Sequence, residues 1–323
     1  MKTQLLSLLF ALFIFNVRQS HAQLANCNPP VSRTMMELNN IRAHYLVGGP
    51  HWTQANGNPG FEVPKASGRT SFNAMNFWMG GIDAMGLLKV AGQTYRQSSS
   101  LGIGFWPGPI MPDSAIISQG QCNLFDRSWK LTAAEIRHHR NNYQLPNYQV
   151  PANIAEWPGN GEVALGYSPD LAPFEDVNGN GLYDPENGDY PLIPGDEAIW
   201  MVYNDRYNSN GHQSSALGIE VQETIFAFNR QGALRNAVFH QYKIINRSTV
   251  RLDSTFIGNF VEPALGNPND DFIGCDVTHG MGIVYNADDD DEGPLGYGIN
   301  PRQRHSRYFA VPIPRLTMAS TIT

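Results

Sequence analysis

The chain has 323 residues and a formal charge of −7, with 31 glycines and 22 prolines. That length can bury a real core as one large domain or two ordinary ones, and the Gly/Pro content suits many turns without reaching the range of disordered chains. The acidic balance excludes nucleic acid as a partner, because phosphate binding needs a basic face.

Lys2 is followed by an apolar run from Leu5 to Phe15, and Ser20-His21-Ala22 places small residues where a signal peptidase reads. Residues 1–22 are therefore expected to be a cleaved signal peptide, since the run is too short for a stable helix across a bilayer of ~30 Å. Removing Lys2 and Arg18 with it takes the formal charge from −7 to −9. No later stretch reaches about 18 continuous apolar residues, so no membrane span is expected after cleavage.

Further on, Ile41, Ala43, Tyr45 and Val47 alternate at period two, as on one face of a strand. Asn76–Met79 and Leu87–Ala91 flank GGIDAMG, whose glycines bracket a hairpin turn. One helix is expected at Ala133–Asn141, where Thr132 and Glu135 form a capping box and Leu131 and Ile136 a hydrophobic staple. A long irregular stretch holding WPGNG and DVNGNGLYD runs to about Asp196. Four strand-length segments follow: AIWMVYND, GIEVQETIFAFN, AVFHQYKIINRS and RLDSTFIGNFVEP. In the second, the half around Glu220 and Gln222 has one polar face, whereas the half around Ile225 and Phe226 is apolar on both. It therefore reads as a strand that enters a core partway along.

The pattern predicts a mainly β fold: an antiparallel β-sandwich with long Gly/Pro-rich loops and one short helix. The expected division is a β-rich region over 23–195, carrying the helix and the DVNGNGLYD loop, and a sandwich region over 196–323. Cys27, Cys122 and Cys275 make an odd count, which leaves a thiol over in an exported chain. A Cys122–Cys275 bridge and three buried thiols both remain open.

The most specific motif is Asp176-Val-Asn178-Gly-Asn180-Gly181-Leu182-Tyr-Asp184. Oxygen side chains at loop positions one, three and five, with glycine at six, match the start of an EF-hand calcium loop. Alternate residues of a tight loop point inward and supply the oxygens a hard cation needs, and the Leu182 carbonyl is the next ligand. Asn187 stands where a helical hand has its bidentate glutamate, and no amphipathic helix flanks the loop. The motif is thus a structural calcium loop without the hand, its expected ligands being Asp176, Asn178, Asn180, Leu182, Asp184 and Asp189.

Other chemistry is sparse. Asp270, Asp271 and Asp276 invite a glycosidase reading of paired carboxylates, set against a turn whose acids face water. Asp288–Asp291 reads as a solvated loop. His138 and His139 are adjacent on the helix and diverge, and the histidines as a whole read as surface or packing residues. Trp52, Trp106 and Trp157 lie in Gly/Pro loops, where they stack on sugars or cap the core.

Taken together, EVPKASGRTSFNAMNFWMGGIDAMGLLKVAGQTYRQ, FWPGP, CNLFDRSWKLTAAEI, WPGNG, LAPFEDVNGNGLYDPENGDYP, GDEAIWMVYND and LGNPNDDFIGCDV followed by GIVYN resemble the N-terminal region of large secreted Bacteroidetes proteins. The resemblance covers most of residues 38–290. It implies export through the periplasm, then type IX secretion to the outer surface or the medium, directed by a C-terminal sorting domain. This chain stops at MASTIT without one, which implies a truncated reading frame. The resulting expectation is a secreted or cell-surface, calcium-stabilised β protein of structural, adhesive or binding role, with glycans or other surface proteins as partners. The alternative is a secreted carbohydrate-active enzyme using paired carboxylates.

Overall fold

Period-two alternation along several segments produces strands with one face for a shared core, and these assemble into two antiparallel sheets. The computed structural model describes residues 27–95, 103–207 and 214–299, and the strand at 309–312. The segment read as a signal peptide, 1–22, and the MASTIT end lie outside the described residues. The first sheet contains β1 (Arg33–Met36), β2 (Arg42–Leu46), β3 (Phe61–Glu62), β4 (Thr70–Asp83) and β5 (Leu88–Gly92). The chain then forms β6 (Trp106–Pro107), α1 (Gln119–Phe125), β7 (Trp129–Thr132), α2 (Ala133–Asn142) and α3 (Ala152–Ala155). A two-strand clamp of β8 (Phe174–Glu175) and β9 (Tyr190–Pro191) precedes β10 (Glu197–Asn204), β11 (Ile219–Ala227), β12 (Phe239–Asn246) and β13 (Leu252–Pro263). The last elements are β14 (Asp271–Asp276), β15 (Met281–Asn286), β16 (Asp290–Asp291), β17 (Gly298–Ile299) and β18 (Phe309–Pro312).

The first sheet runs β1-β2-β3-β4-β13, with β5 also on β4; the second runs β12-β11-β10-β6, with β7 also on β10. They face one another across a core in which Ala43, Tyr45, Met75 and Phe77 meet Ile199, Met201, Tyr203, Ile219, Val221 and Ile225. Burying each large side chain there contributes about 1.5–3 kcal/mol. The antiparallel sandwich expected from the alternation is therefore present. Strand pairing crosses the expected division at 195/196. β7 pairs with β10 and β4 pairs with β13, so both sheets are built from residues on either side of that point.

β10 is buried on both faces. Its opposite side, with Trp200 and Val202, packs on a layer made by Leu131, Ile136, Ile154, Trp157 and Leu171. The expected helix is α2, with the Thr132/Glu135 capping box formed in both directions, and Leu131 and Ile136 meet in the same cluster. Two short helices, α1 and α3, add to it; both are too short for a 3.6-residue period to show. β4 continues through Gly80-Gly81, and the hairpin turn falls at Asp83–Gly86. There Asp83 Oδ1 accepts the N–H groups of Met85 and Leu87, and Gly86 takes a positive φ of 79°.

The reading of β11 is reversed. Glu220 and Gln222 are buried, whereas Thr224 and Phe226 are only half-buried. The polar half is covered because Arg247 and the backbone N–H of Ile110 both bond the Glu220 carboxylate. Cys27 is bridged to Cys122 rather than Cys122 to Cys275, and Cys275 is free and exposed. The bridge sits in a small cluster with Ile103, Trp106, Ile110 and Ile117.

Candidate functional site

The loop 176–189 is pinched at its base by the β8–β9 ladder, in which Phe174 faces Pro191 and Glu175 faces Tyr190. Beneath it lies WPGNG. Asn160 accepts the Tyr183 N–H at 2.7 Å and donates to the Gly181 carbonyl at 3.1 Å. Trp157 Nε1 donates to the Pro173 carbonyl, and the Tyr183 hydroxyl donates to that of Ile154. A Cβ on Gly159 would lie 2.6 Å from Tyr183 Cβ, so only glycine lets the two segments close.

Within the loop, Asp176 accepts the N–H groups of Gly179, Asn180 and Gly181. The side-chain amides of Asn178, Asn180 and Asn187 converge on the Asp184 carboxylate at 2.9–3.2 Å. Asn178 Oδ1 and Asn180 Oδ1 accept the N–H groups of Asn180 and Leu182. Glycines 179 and 181 take positive φ with open space around their Cα, which the sharp turn requires. Asn178 and Asn180 thus meet Asp184 at one tip, while Asp176 closes the turn from its own side. A half-turn of an asparagine amide puts oxygen where nitrogen stood, so Asn178 and Asn180 can offer amide oxygens beside Asp184 only by giving up the Asn180 and Leu182 N–H groups that those oxygens now accept. The Leu182 side chain is exposed, and Leu182 serves the loop through its backbone.

Asp189 is fully buried and bonds the N–H groups of Val177 and Asp184 from below, so it braces the loop from inside. Burial, with the Asp184 charge nearby, raises its carboxyl above the ordinary range. The Asn187 hydrogen bond, with those of the other amides, holds Asp184 below it. His139 ties α2 to this base through its bond to the Asp189 carbonyl at 3.0 Å.

Asp276 does not pair with the other acids of its segment, whereas burial, with the Asp270 and Asp291 charges adding to it, pushes the Asp271 carboxyl up to about 6. Asp271 and Asp276 lie at opposite ends of β14, about 17 Å apart along an extended strand, and Asp270 precedes it. Glycosidase carboxyls lie about 5–10 Å apart. Asp276 is paired with His279 at 2.7 Å. Asp291 is not solvated: it is buried and bonds the N–H groups of Asn267 and Tyr297. Trp52, Trp106 and Trp157 are all buried, so they serve the core and not a sugar-binding surface.

A second constellation lies inside the sandwich. Glu223 of β11 is fully buried, and His51 Nε2 and His240 Nδ1 approach its two oxygens at 2.9 and 2.8 Å. His51 is held in place by two backbone hydrogen bonds with Met75 of β4, and His240 lies on β12. The Tyr203 hydroxyl also donates to Glu223 at 2.9 Å. Burial alone would push the Glu223 carboxyl up, but His51 and His240 outweigh it and hold the group well below the carboxylate range. Burial lowers His240, opposed by Glu223. Scattered histidines in a sequence give no sign of this meeting. The available signal was a lone glutamate on the face that also carries Ile219, Val221 and Ile225.

The fold and its tip define a mainly β, antiparallel sandwich with an oxygen-rich loop on one side. No protein family, curated protein or solved structure matches the chain. Among the described residues no helix is long and apolar enough to cross a membrane.

Proposed function

We propose that this chain is an exported β-sandwich whose 176–189 loop holds a structural calcium ion, and that it serves adhesion or binding at or beyond the cell surface. The observation that carries the reading is the convergence of Asn178 and Asn180 on Asp184 in a tight turn closed by Asp176. The loop has few apolar residues to hold it, so a cation bound to the folded form would add directly to stability. With two neutral amides among the ligands, affinity falls in the modest, extracellular range. The Cys27–Cys122 bridge supports export, because disulfides persist in oxidising compartments. The resemblance to type IX-secreted Bacteroidetes proteins supports the outer surface as destination, with glycans or surface proteins as partners. The separation of Asp271 from Asp276 favours this reading over a carbohydrate-active enzyme.

The test is a melt in calcium and in excess chelator, with limited proteolysis in parallel. Chelation should lower the melting temperature and open a cleavage site near Gly181. An unchanged melt together with no calorimetric calcium binding would refute it. A glycan-array and hydrolysis screen then separates binding from turnover.

A further inference from the structure

We propose that His51, Glu223 and His240 form a binding site for a zinc-class divalent transition metal inside the sandwich, independent of the calcium loop. One donor atom from each of the three side chains lies within 4.8 Å of the others, and the two imidazole–carboxylate separations are 2.9 and 2.8 Å. Metal–ligand bonds of about 2.0–2.2 Å at a tetrahedral centre place neighbouring donors roughly 3.4 Å apart, so each imidazole nitrogen has to move only about half an ångström from the Glu223 carboxylate on loading. Two imidazoles and one carboxylate are a donor set for zinc, cobalt, nickel or iron(II) rather than for calcium or magnesium, which take oxygen alone.

The donors are also preorganised. They come from three separate elements: a loop pinned to β4 at Met75, and the neighbouring strands β11 and β12. Their side chains are 2%, 0% and 10% exposed, and the rings of Tyr45, Trp52 and Tyr242 pack around the histidines. Tyr203 orients the carboxylate through its hydroxyl, as an outer-shell partner does in metal centres.

Hydrogen bonding alone places one demand on the cluster. A carboxylate can only accept, so both inner ring nitrogens must then carry protons. The outer nitrogens, His51 Nδ1 and His240 Nε2, are buried with no hydrogen-bond partner among the described residues, and a metal on the inner nitrogens leaves them so. A core selected for stability alone gains as much from well-packed apolar side chains in such a place. Metal binding displaces the inner protons and makes bonds that the apolar alternative lacks. Because the site is sealed, the metal is structural and enters as the sandwich closes, so loading follows refolding rather than soaking.

The experiment uses the full mature chain without a histidine tag, unfolded, stripped with chelator and refolded with zinc chloride or cobalt chloride alone. After desalting, the expected content is about one metal per chain, with ligand-field absorption in the cobalt form and a higher melting temperature than the metal-free refold. His240→Gln and Glu223→Gln should each drop the content to background, while Asp184→Asn in the calcium loop should leave it unchanged. A wild-type refold with no bound metal and an unshifted melt overturns the proposal. So does stoichiometric metal that survives both core substitutions. If the variants do not fold, X-ray absorption on the wild-type cobalt form decides: two imidazoles and a carboxylate support the site, and a shell without imidazole scattering overturns it.

Discussion

Replacing Asp205 by alanine should destabilise the sandwich far more than loss of one surface carboxylate. Asp205 follows β10 and is fully buried. Its carboxylate accepts the N–H groups of Leu217, Gly218 and Ile219, closing the chain that returns to β11. Alanine leaves all three backbone donors without an acceptor. A buried donor stripped of its partner costs about 1–3 kcal/mol. Partial entry of water reduces the sum, so about 3–5 kcal/mol is expected. Against a total of about 5–15 kcal/mol this is a large fraction, and at about 2–4 °C per kcal/mol it lowers the melting temperature by roughly 10 °C. Urea unfolding at pH 7, followed by fluorescence of the buried Trp157 and Trp200, measures it. Asp205→Asn keeps one carbonyl oxygen and should fall in between. A loss below about 1 kcal/mol for the alanine variant would show that the three donors find other partners, and the reasoning would be wrong.

Two other outcomes follow from the same kind of accounting. Burial, working against the backbone donors, pushes the Asp205 carboxyl from 3.8 up to about 6. The native state therefore holds that proton more tightly than the unfolded chain. The resulting stability is fully present below the unfolded value and is lost as pH rises through the folded one, to an extent of about 3 kcal/mol. Asp205→Asn does not titrate, so its stability relative to wild type should improve between pH 4 and pH 7; a flat difference across that window refutes the assignment. The Cys27–Cys122 bridge closes a separation of 95 residues, for which constraint of the unfolded chain amounts to about 4.7 kcal/mol. Cys27→Ser should lower the urea midpoint accordingly, and an unchanged midpoint would mean that the bridge adds nothing to the stability of the fold.

Features legible in the sequence were those whose interactions span a few residues. The Thr132/Glu135 capping box is closed by contacts three residues apart, so local spelling determined where α2 starts. The DVNGNGLYD loop is likewise written by neighbours, since Asp176 bonds residues three to five positions on. Alternation at period two announced strands, because a strand's side chains take opposite faces whatever its partners are.

What covers those faces was not legible. The burial of Glu220 depends on Arg247 and Ile110, 27 and 110 residues away, and nothing within β11 encodes them. The pairing of β4 with β13 joins Asp83 to Leu252, on opposite sides of the expected 195/196 division. The bridge of Cys27 to Cys122 follows from the meeting of α1 with the segment before β1 in the small cluster beside β6. His51 and Glu223 stand 172 residues apart, and only the closure of one sheet on the other brings their side chains together. The sequence by itself determined the class of fold, one helix and the oxygen-rich loop, because short-range geometry suffices for each. The tertiary structure alone decided the sheet order, the buried polar contacts and the His51–Glu223–His240 centre, because strand pairing and layer packing are set by contacts between distant segments.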